Sequence, residues 1–392
     1  QLKRKKRGST MSMGKKWMKR VAVSMMVACA IAGLSGCGNK EDSSSASGSN
    51  VAKVGFINGT TGAVAGYGLS EQQGLNLAVE EINKKGKIHL EVEEQDTQGQ
   101  VSQAVNVVQK MIGDHKSVLI GPLISSEYKA VSPLVEQAKI PLVGVAITAE
   151  GATDNSNYLF RVCVPESENI PQTVNKTHEK LGYKTAAILY SSNNEHQVSA
   201  YKVFKRSLEA AGVKIVDTET FADKDSDFSA QLTKIEAAKP DVVVVAAYYQ
   251  EGALILKKMR EMGMNQPVLG DNGFMSPELT KMAGAAANNV YVSSMWTPER
   301  NNPETKNFVE KFKAKYGQEP DNFAACAYVA MKYVAKAMET AGTTTDTAKI
   351  RDAMANIKNF NSATGPLSFN NKGTPDVNLV LLKIENGQYK AQ

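Results

Sequence analysis

Histidine and cysteine number four each, and tryptophan two, among 392 residues. His89, His115, His178 and His196 are scattered, with no His-Glu-x-x-His and no Cys-x-x-Cys pattern. The familiar zinc spacings are thereby excluded, and no metal is expected. No Gly-x-x-x-x-Gly-Lys-Ser/Thr phosphate loop and no Gly-x-Ser-x-Gly elbow occurs, so neither a P-loop nucleotide site nor Ser–His–acid hydrolysis has support. Gly62, Gly66 and Gly68 miss the dinucleotide spacing, and no cofactor is expected. Asp223, Asp225 and Asp227 alternate like a calcium loop, but Phe228 stands where that loop needs Gly and Lys234 where it needs Glu. A basic excess is also missing from the body of the chain. The net charge of +6 comes from residues 1–36, which hold nine Lys and Arg and no acid. Removing those nine from the 46 Lys and Arg leaves 37 against 40 acidic residues, a net of −3. Nucleic acid is therefore not an expected partner.

Long hydrophobic runs are lacking too. The apolar run 21–32 follows Lys15, Lys16, Lys19 and Arg20. About twelve residues cannot span a bilayer of roughly 30 Å, and the flanks fit a signal peptide. The run ends in Leu34-Ser35-Gly36-Cys37, which resembles a bacterial lipobox with Cys37 as the lipidated residue. The bland alternative is an ordinary signal peptide with a chance Cys. Residues 1–10 read as upstream translation, with Met11 or Met13 as the start. Residues 37–50, rich in Ser and Gly, read as a tether from an extracytoplasmic membrane anchor. Cys163 and Cys326 either pair or, the preferred reading, stay as two buried thiols in a strand and a helix.

What is there is alternation of strand and helix. Strands are expected at 51–57, 88–92, 118–120 and 141–145, with helices at 68–85, 101–112 and from Ser125 to about residue 138. Pro133 predicts a kink or restart in the last of these. After Arg161 a second series follows, with strands at 186–190, 214–218, 241–247 and 266–270 and helices at 170–181, 197–211, 229–238 and 251–262. Helices at 305–316, 322–341 and 347–357 and strands at 367–370 and 378–384 close the chain. Strict alternation implies parallel sheets covered on both faces, and the length suits two domains. Two doubly wound α/β units then face each other across a cleft at their strand ends.

The organising stretch is 118–126, a buried strand, a Gly121-Pro122 turn and the first turn of a helix opening with Ser125 and Ser126. Unpaired amides and partial positive charge at a helix start suit a carboxylate. The strand at 141–145 leads into Ala146-Ile147-Thr148 at the same edge. An amino acid held there by both charged ends is the expectation. Ser125, Ser126 and Thr148 as plain helix or turn caps remain the alternative.

Several stretches resemble the branched-chain amino-acid binding proteins of ABC importers: Lys53-Val54-Gly55-Phe56-Ile57, Thr61-Gly62, Tyr67-Gly68, Glu80-Glu81-Ile82-Asn83, 96–110, 121–133, 221–232, 248–256 and Gly365-Pro366-Leu367. The resemblance covers nearly all of 51–392. It implies the type I periplasmic binding protein fold, two Rossmann-like lobes joined by a three-strand hinge around one ligand. Lobe one would be 51–165 plus 297–364, and lobe two 166–296 plus 365–392. Carried over by position, it implies carboxylate contacts from Ser125, the Thr148 amide and Tyr248, and ammonium contacts from the Ala146 carbonyl and the Thr148 hydroxyl. The implied side-chain pocket is Tyr67, Leu123, Ile124, Ile147 and Phe323. A zwitterion leaving water needs such donors and acceptors.

Two departures stand out. The acid expected before Gly273 is Asn272, with Asp271 one residue earlier. The usual Tyr-Gly of the second-lobe loop is Glu195-His196. Glu195, Asp271 and Asn272 are thus rival partners for the ammonium, and a solvated loop is the bland reading of Glu195. The expected protein is a monomeric, lipid-anchored capture subunit, not an enzyme, passing an aliphatic amino acid to a membrane permease. A same-fold ligand sensor or binding protein for an amide, urea or aromatic acid is the alternative.

Overall fold

The computed structural model describes residues 50–154 and 156–392. The expected leader, Cys37 and the tether before Asn50 lie outside the described residues. Five strands build the first sheet: β1 (Val51–Asn58), β2 (His89–Asp96), β3 (Val118–Ile120), β4 (Leu142–Gly144) and β5 (Leu159–Arg161). Their order is β2-β1-β3-β4-β5, parallel throughout. β3 and β4 are apolar and wholly buried, as inner strands covered on both sides must be. β2 carries four acids in eight residues, which suits an edge.

The helices α1 (Ala65–Lys85), α2 (Val101–Gly113) and α3 (Ser125–Ala138) follow β1, β2 and β3. α1 ends where expected, with Gly86 left-handed at φ 72°. α3 does not restart at Pro133 but continues to Ala138. The Ser132 hydroxyl donates to the Tyr128 carbonyl one turn back, at 2.6 Å.

The second sheet begins with β6 (Thr185–Ser191), β7 (Lys214–Phe221), β8 (Val242–Ala246), β9 (Val268–Gly270) and β10 (Val290–Ser294). A hairpin of β11 (Phe360–Ser362) and β12 (Gly365–Leu367) precedes β13 (Val380–Glu385) and β14 (Gln388–Ala391). The sheet order is β14-β13-β10-β9-β8-β6-β7, and only β13 and β14 join antiparallel. Its helices are α4 (Glu166–Leu181), α5 (Glu195–Ala210), α6 (Ser229–Ala238), α7 (Tyr249–Glu261) and the short α8 (Pro277–Ala283). β5, β10, β11, β14 and α8 were not anticipated. Each has seven residues or fewer, too few for a hydrophobic period to register.

The chain crosses between sheets after β5, after β10 and between β12 and β13. The later helices α9 (Pro303–Tyr316), α10 (Asn322–Ala341) and α11 (Thr347–Asn356) return to the first core. Leu367 and Phe369, grouped with lobe two by sequence, also pack into this first core. α1 lies so close to α10 that a Cβ on Gly74 would fall 2.0 Å from the Ala324 carbonyl oxygen. Cys163 and Cys326 are free and buried. Cys163 lies just past β5 rather than within it, and its thiol donates to the Ile147 carbonyl at 3.0 Å.

Glu127 on α3 is fully buried, where hydrogen bonds with Thr97 and Ile124 only partly offset its lost hydration. Burial pushes its pKa up to about 7 from an ordinary 4.5. A raised carboxyl pKa favours the folded state fully below the unfolded value, and that advantage is lost as pH rises through 7. Glu127→Gln is therefore expected to melt higher than the parent at pH 8 and no higher at pH 4. The shift corresponds to roughly 3 kcal/mol. Melting temperatures of both proteins across that range measure it.

Candidate functional site

The turn after β3 brings the chain to the cleft. Gly121 has φ 95°, and a Cβ there would sit 1.9 Å from the Ile57 carbonyl oxygen. The chain then enters α3 at Ser125, whose amide belongs to the unpaired first turn. The Ser125 hydroxyl accepts from the Ala149 amide at 3.3 Å, tying the two loops of this edge together.

Opposite them stand the second-sheet loops. Tyr67, Leu123, Ile124, Ser125, Ala146, Tyr248, Asn272 and Phe323 line one cavity, with His196 and Gly273. Its free space is ≈ 20 Å³, little more than one water needs, so a larger ligand requires the walls to part. Tyr67 packs edge-on against Tyr248 and Tyr249 and tilted against Phe323, with centroids 5.7, 4.9 and 4.7 Å apart. Its hydroxyl donates to the Gly273 carbonyl at 2.7 Å and accepts from the Tyr249 amide at 2.8 Å. Tyr67, Leu123, Ile124 and Phe323 join one apolar cluster with second-sheet residues such as Tyr249 and Phe274. Burial drives the Tyr67 and Tyr248 phenols upward, so both are neutral donors.

Two exposed ion pairs also join residues that follow the two sheets. Lys129 pairs with Glu195 at 2.8 Å, and the Arg206 guanidinium clasps both Glu150 oxygens at 2.9 and 2.7 Å. These pairs are exposed and contribute little each.

Of the residues singled out on sequence, four lie off the cavity lining: Ile147, Thr148, Glu195 and Asp271. Ile147 is fully buried in the first core, beneath the cavity. Glu195 is half-exposed at the start of α5 and turns to Lys129, away from the cavity. Asp271 is buried behind the wall, while Asn272 faces the cavity. Thr148 is buried at the edge, its hydroxyl 2.8 Å from His196 Nδ1.

His196 and Glu166 are the residues that sequence reasoning missed. Asn194 caps α5 through the His196 amide, so Glu195 opens the helix outward and His196 turns inward. The period carried a signal: His196 shares a face with buried Ala200, Val203 and Phe204. Its ring stacks on Tyr248 at 5.9 Å. Its Nε2 lies 3.2 Å from Asp271 Oδ2 and 3.7 Å from Glu166 Oε1. Burial opposes charge on the imidazole, but Asp271 and Glu166 outweigh it and its pKa is raised. Burial raises that of Glu166 despite the imidazole beside it. These residues are far apart in sequence, so no motif announces them.

Known proteins share this framework. A protein-family model described as periplasmic binding protein matches residues 51–388. A leucine-, isoleucine-, valine-, threonine- and alanine-binding protein of Pseudomonas aeruginosa is 28% identical over 326 residues, 82% of this chain and 86% of its own. The branched-chain amino acid transporter substrate binding protein of Streptococcus pneumoniae, solved with isoleucine, is 30% identical with a TM-score of 0.82. That match covers 87% of this chain and 98% of the other. A leucine binding protein of Thermotoga maritima, 27% identical, superposes with a TM-score of 0.83 over 87% of this chain and 97% of its own. The lobes, the cleft between them and the family match over nearly the whole described chain agree: this chain belongs to the periplasmic binding protein family.

Proposed function

We propose that the chain is the extracytoplasmic substrate-binding subunit of an ABC importer, tethered by a lipid on Cys37, and that it captures a branched-chain or similar aliphatic amino acid. The observation that carries this reading is the cavity itself. Helix-start Ser125 and the Ala146 edge line one side, Tyr248 and Asn272 the other, and Tyr67, Leu123, Ile124 and Phe323 make the wall apolar. The named ligands of the Streptococcus and Pseudomonas relatives support an aliphatic side chain.

The ligand carboxylate accepts from the Ser125 amide and hydroxyl and the Thr148 amide. The Tyr248 hydroxyl donates to it from the second lobe. The ammonium donates to the Ala146 carbonyl and the Thr148 hydroxyl. The aliphatic group then meets the apolar wall, worth about 2–3 kcal/mol for a leucine-sized group. No bond is made or broken. Contacts from both lobes stabilise the closed form, which a membrane permease reads.

Isothermal titration against the twenty amino acids tests the proposal. Leucine, isoleucine or valine is expected to bind near micromolar, about −8 kcal/mol. Silence from every aliphatic amino acid overturns it. The closing motion has its own check in Tyr67→Phe, which removes two hydrogen bonds between the lobes. About 1 kcal/mol each predicts a roughly tenfold or greater loss of affinity, with a larger ligand-free radius of gyration by X-ray scattering.

A further inference from the structure

Behind the cavity wall, three buried side chains bring one ligand atom each within 4.8 Å of one another. Glu166 Oε2 has no hydrogen-bond partner among the described residues, and His196 Nε2 and Asp271 Oδ2 face each other at 3.2 Å. The three side chains are fully or nearly fully buried. We propose that Glu166, His196 and Asp271 form a binding site for a divalent transition-metal ion of the zinc class, set in the second-lobe wall of the cleft.

The remaining atoms of the trio are already held. Glu166 Oε1 accepts from the Asn272 amide at 3.0 Å, and Asp271 Oδ1 accepts from the Gly273 amide at 2.9 Å. His196 Nδ1 meets the Thr148 hydroxyl at 2.8 Å. With Nδ1–H donating to that hydroxyl, a metal ion that displaces the proton on Nε2 gains a lone pair facing two carboxylates. Such a lone pair repels its neighbours unless a cation lies among them. Outer hydrogen bonds that fix the imidazole tautomer and orient the carboxylates are what metal ligands require.

Distance and charge agree. Tetrahedral zinc with bonds near 2.0–2.1 Å sets its donors roughly 3.3 Å apart. Here Nε2 lies 3.2 Å from Asp271 Oδ2 and 3.7 Å from Glu166 Oε1, and ligand atoms of all three fit within 4.8 Å of one another. Two carboxylates and a neutral imidazole carry −2, the complement of a divalent ion. Imidazole with carboxylate suits zinc, cobalt or nickel better than magnesium. The ligands stand at the starts of α4 and α5 and just past β9, on rigid elements.

The test is zinc uptake by the whole protein, stripped with a chelator, dialysed against zinc chloride and counted by atomic absorption. No amino acid is present, so the result is independent of the capture reading. One tightly held equivalent is expected, weakened at least a hundredfold in His196→Gln and in Asp271→Asn. His89→Gln and His178→Gln are expected to keep it. Cobalt substituted for zinc is expected to give visible d–d absorption that Asp271→Asn abolishes. Far-ultraviolet circular dichroism identifies which variants fold. Should His196→Gln unfold, the Asp271→Asn count and the cobalt spectrum decide. No stoichiometric uptake, or an equivalent that survives these substitutions in folded protein, overturns the site and leaves a protonated His196 bridging two acids.

Discussion

Ser125→Ala combined with Thr148→Val is expected to weaken binding of leucine or isoleucine at least a hundredfold. Two charge-assisted hydrogen bonds are removed, one from each end of the zwitterion, at about 1.5 kcal/mol or more apiece. Backbone amides at both positions survive, so residual binding is expected rather than none. The fold should stand, because the Ser125 hydroxyl otherwise holds the Ala149 amide and the Thr148 hydroxyl serves His196 and Glu166, both on the second lobe. Calorimetric titration of the double variant, checked by a thermal melt, measures the loss. An unchanged dissociation constant would place the ligand elsewhere.

Gly121→Ala is the second large effect, and it acts on the fold. Residue 121 combines a left-handed backbone with a site 1.9 Å from the Ile57 carbonyl oxygen. That oxygen belongs to β1, an inner strand of the first sheet held between β2 and β3, and cannot move aside. The methyl must displace the turn that aims α3 at the cleft. Strain of a few kcal/mol and lost packing follow, a large part of the stability of a domain. Little folded protein is expected, and what folds should bind ligand poorly because Ser125 is displaced. Gly86→Ala provides the contrast. Gly86 is also left-handed, yet nothing lies within 4 Å of its Cβ position, so about 1 kcal/mol is expected. Equal melting temperatures for the two variants would refute the steric argument.

The architecture was largely legible because long helices and buried strands carry a strong period. α1, α10 and the valine run of β8 state their type in composition alone. Short elements did not, since β10 and β14 take their form from the strands beside them. Pro133 does not restart the helix, for a related reason. A proline forfeits one hydrogen bond, but the packing of Val131 and Val135 keeps α3 whole around it.

The same division runs through the cleft. Chain order alone placed Ser125 at a helix start and Ala146 and Thr148 at the end of a neighbouring strand, because a βα turn fixes its own direction. It could not say that Glu195 faces Lys129 while His196 faces Asp271 and Glu166. Those partners lie 30 residues or more from His196 in sequence, and only the closing of one sheet and its helices sets them within bonding distance. Local patterning determined the strands, the helices and the anion-seeking turn, since each depends on near neighbours. Tertiary packing decided which charged groups share the buried wall, since burial and Coulomb energy depend on distances in space.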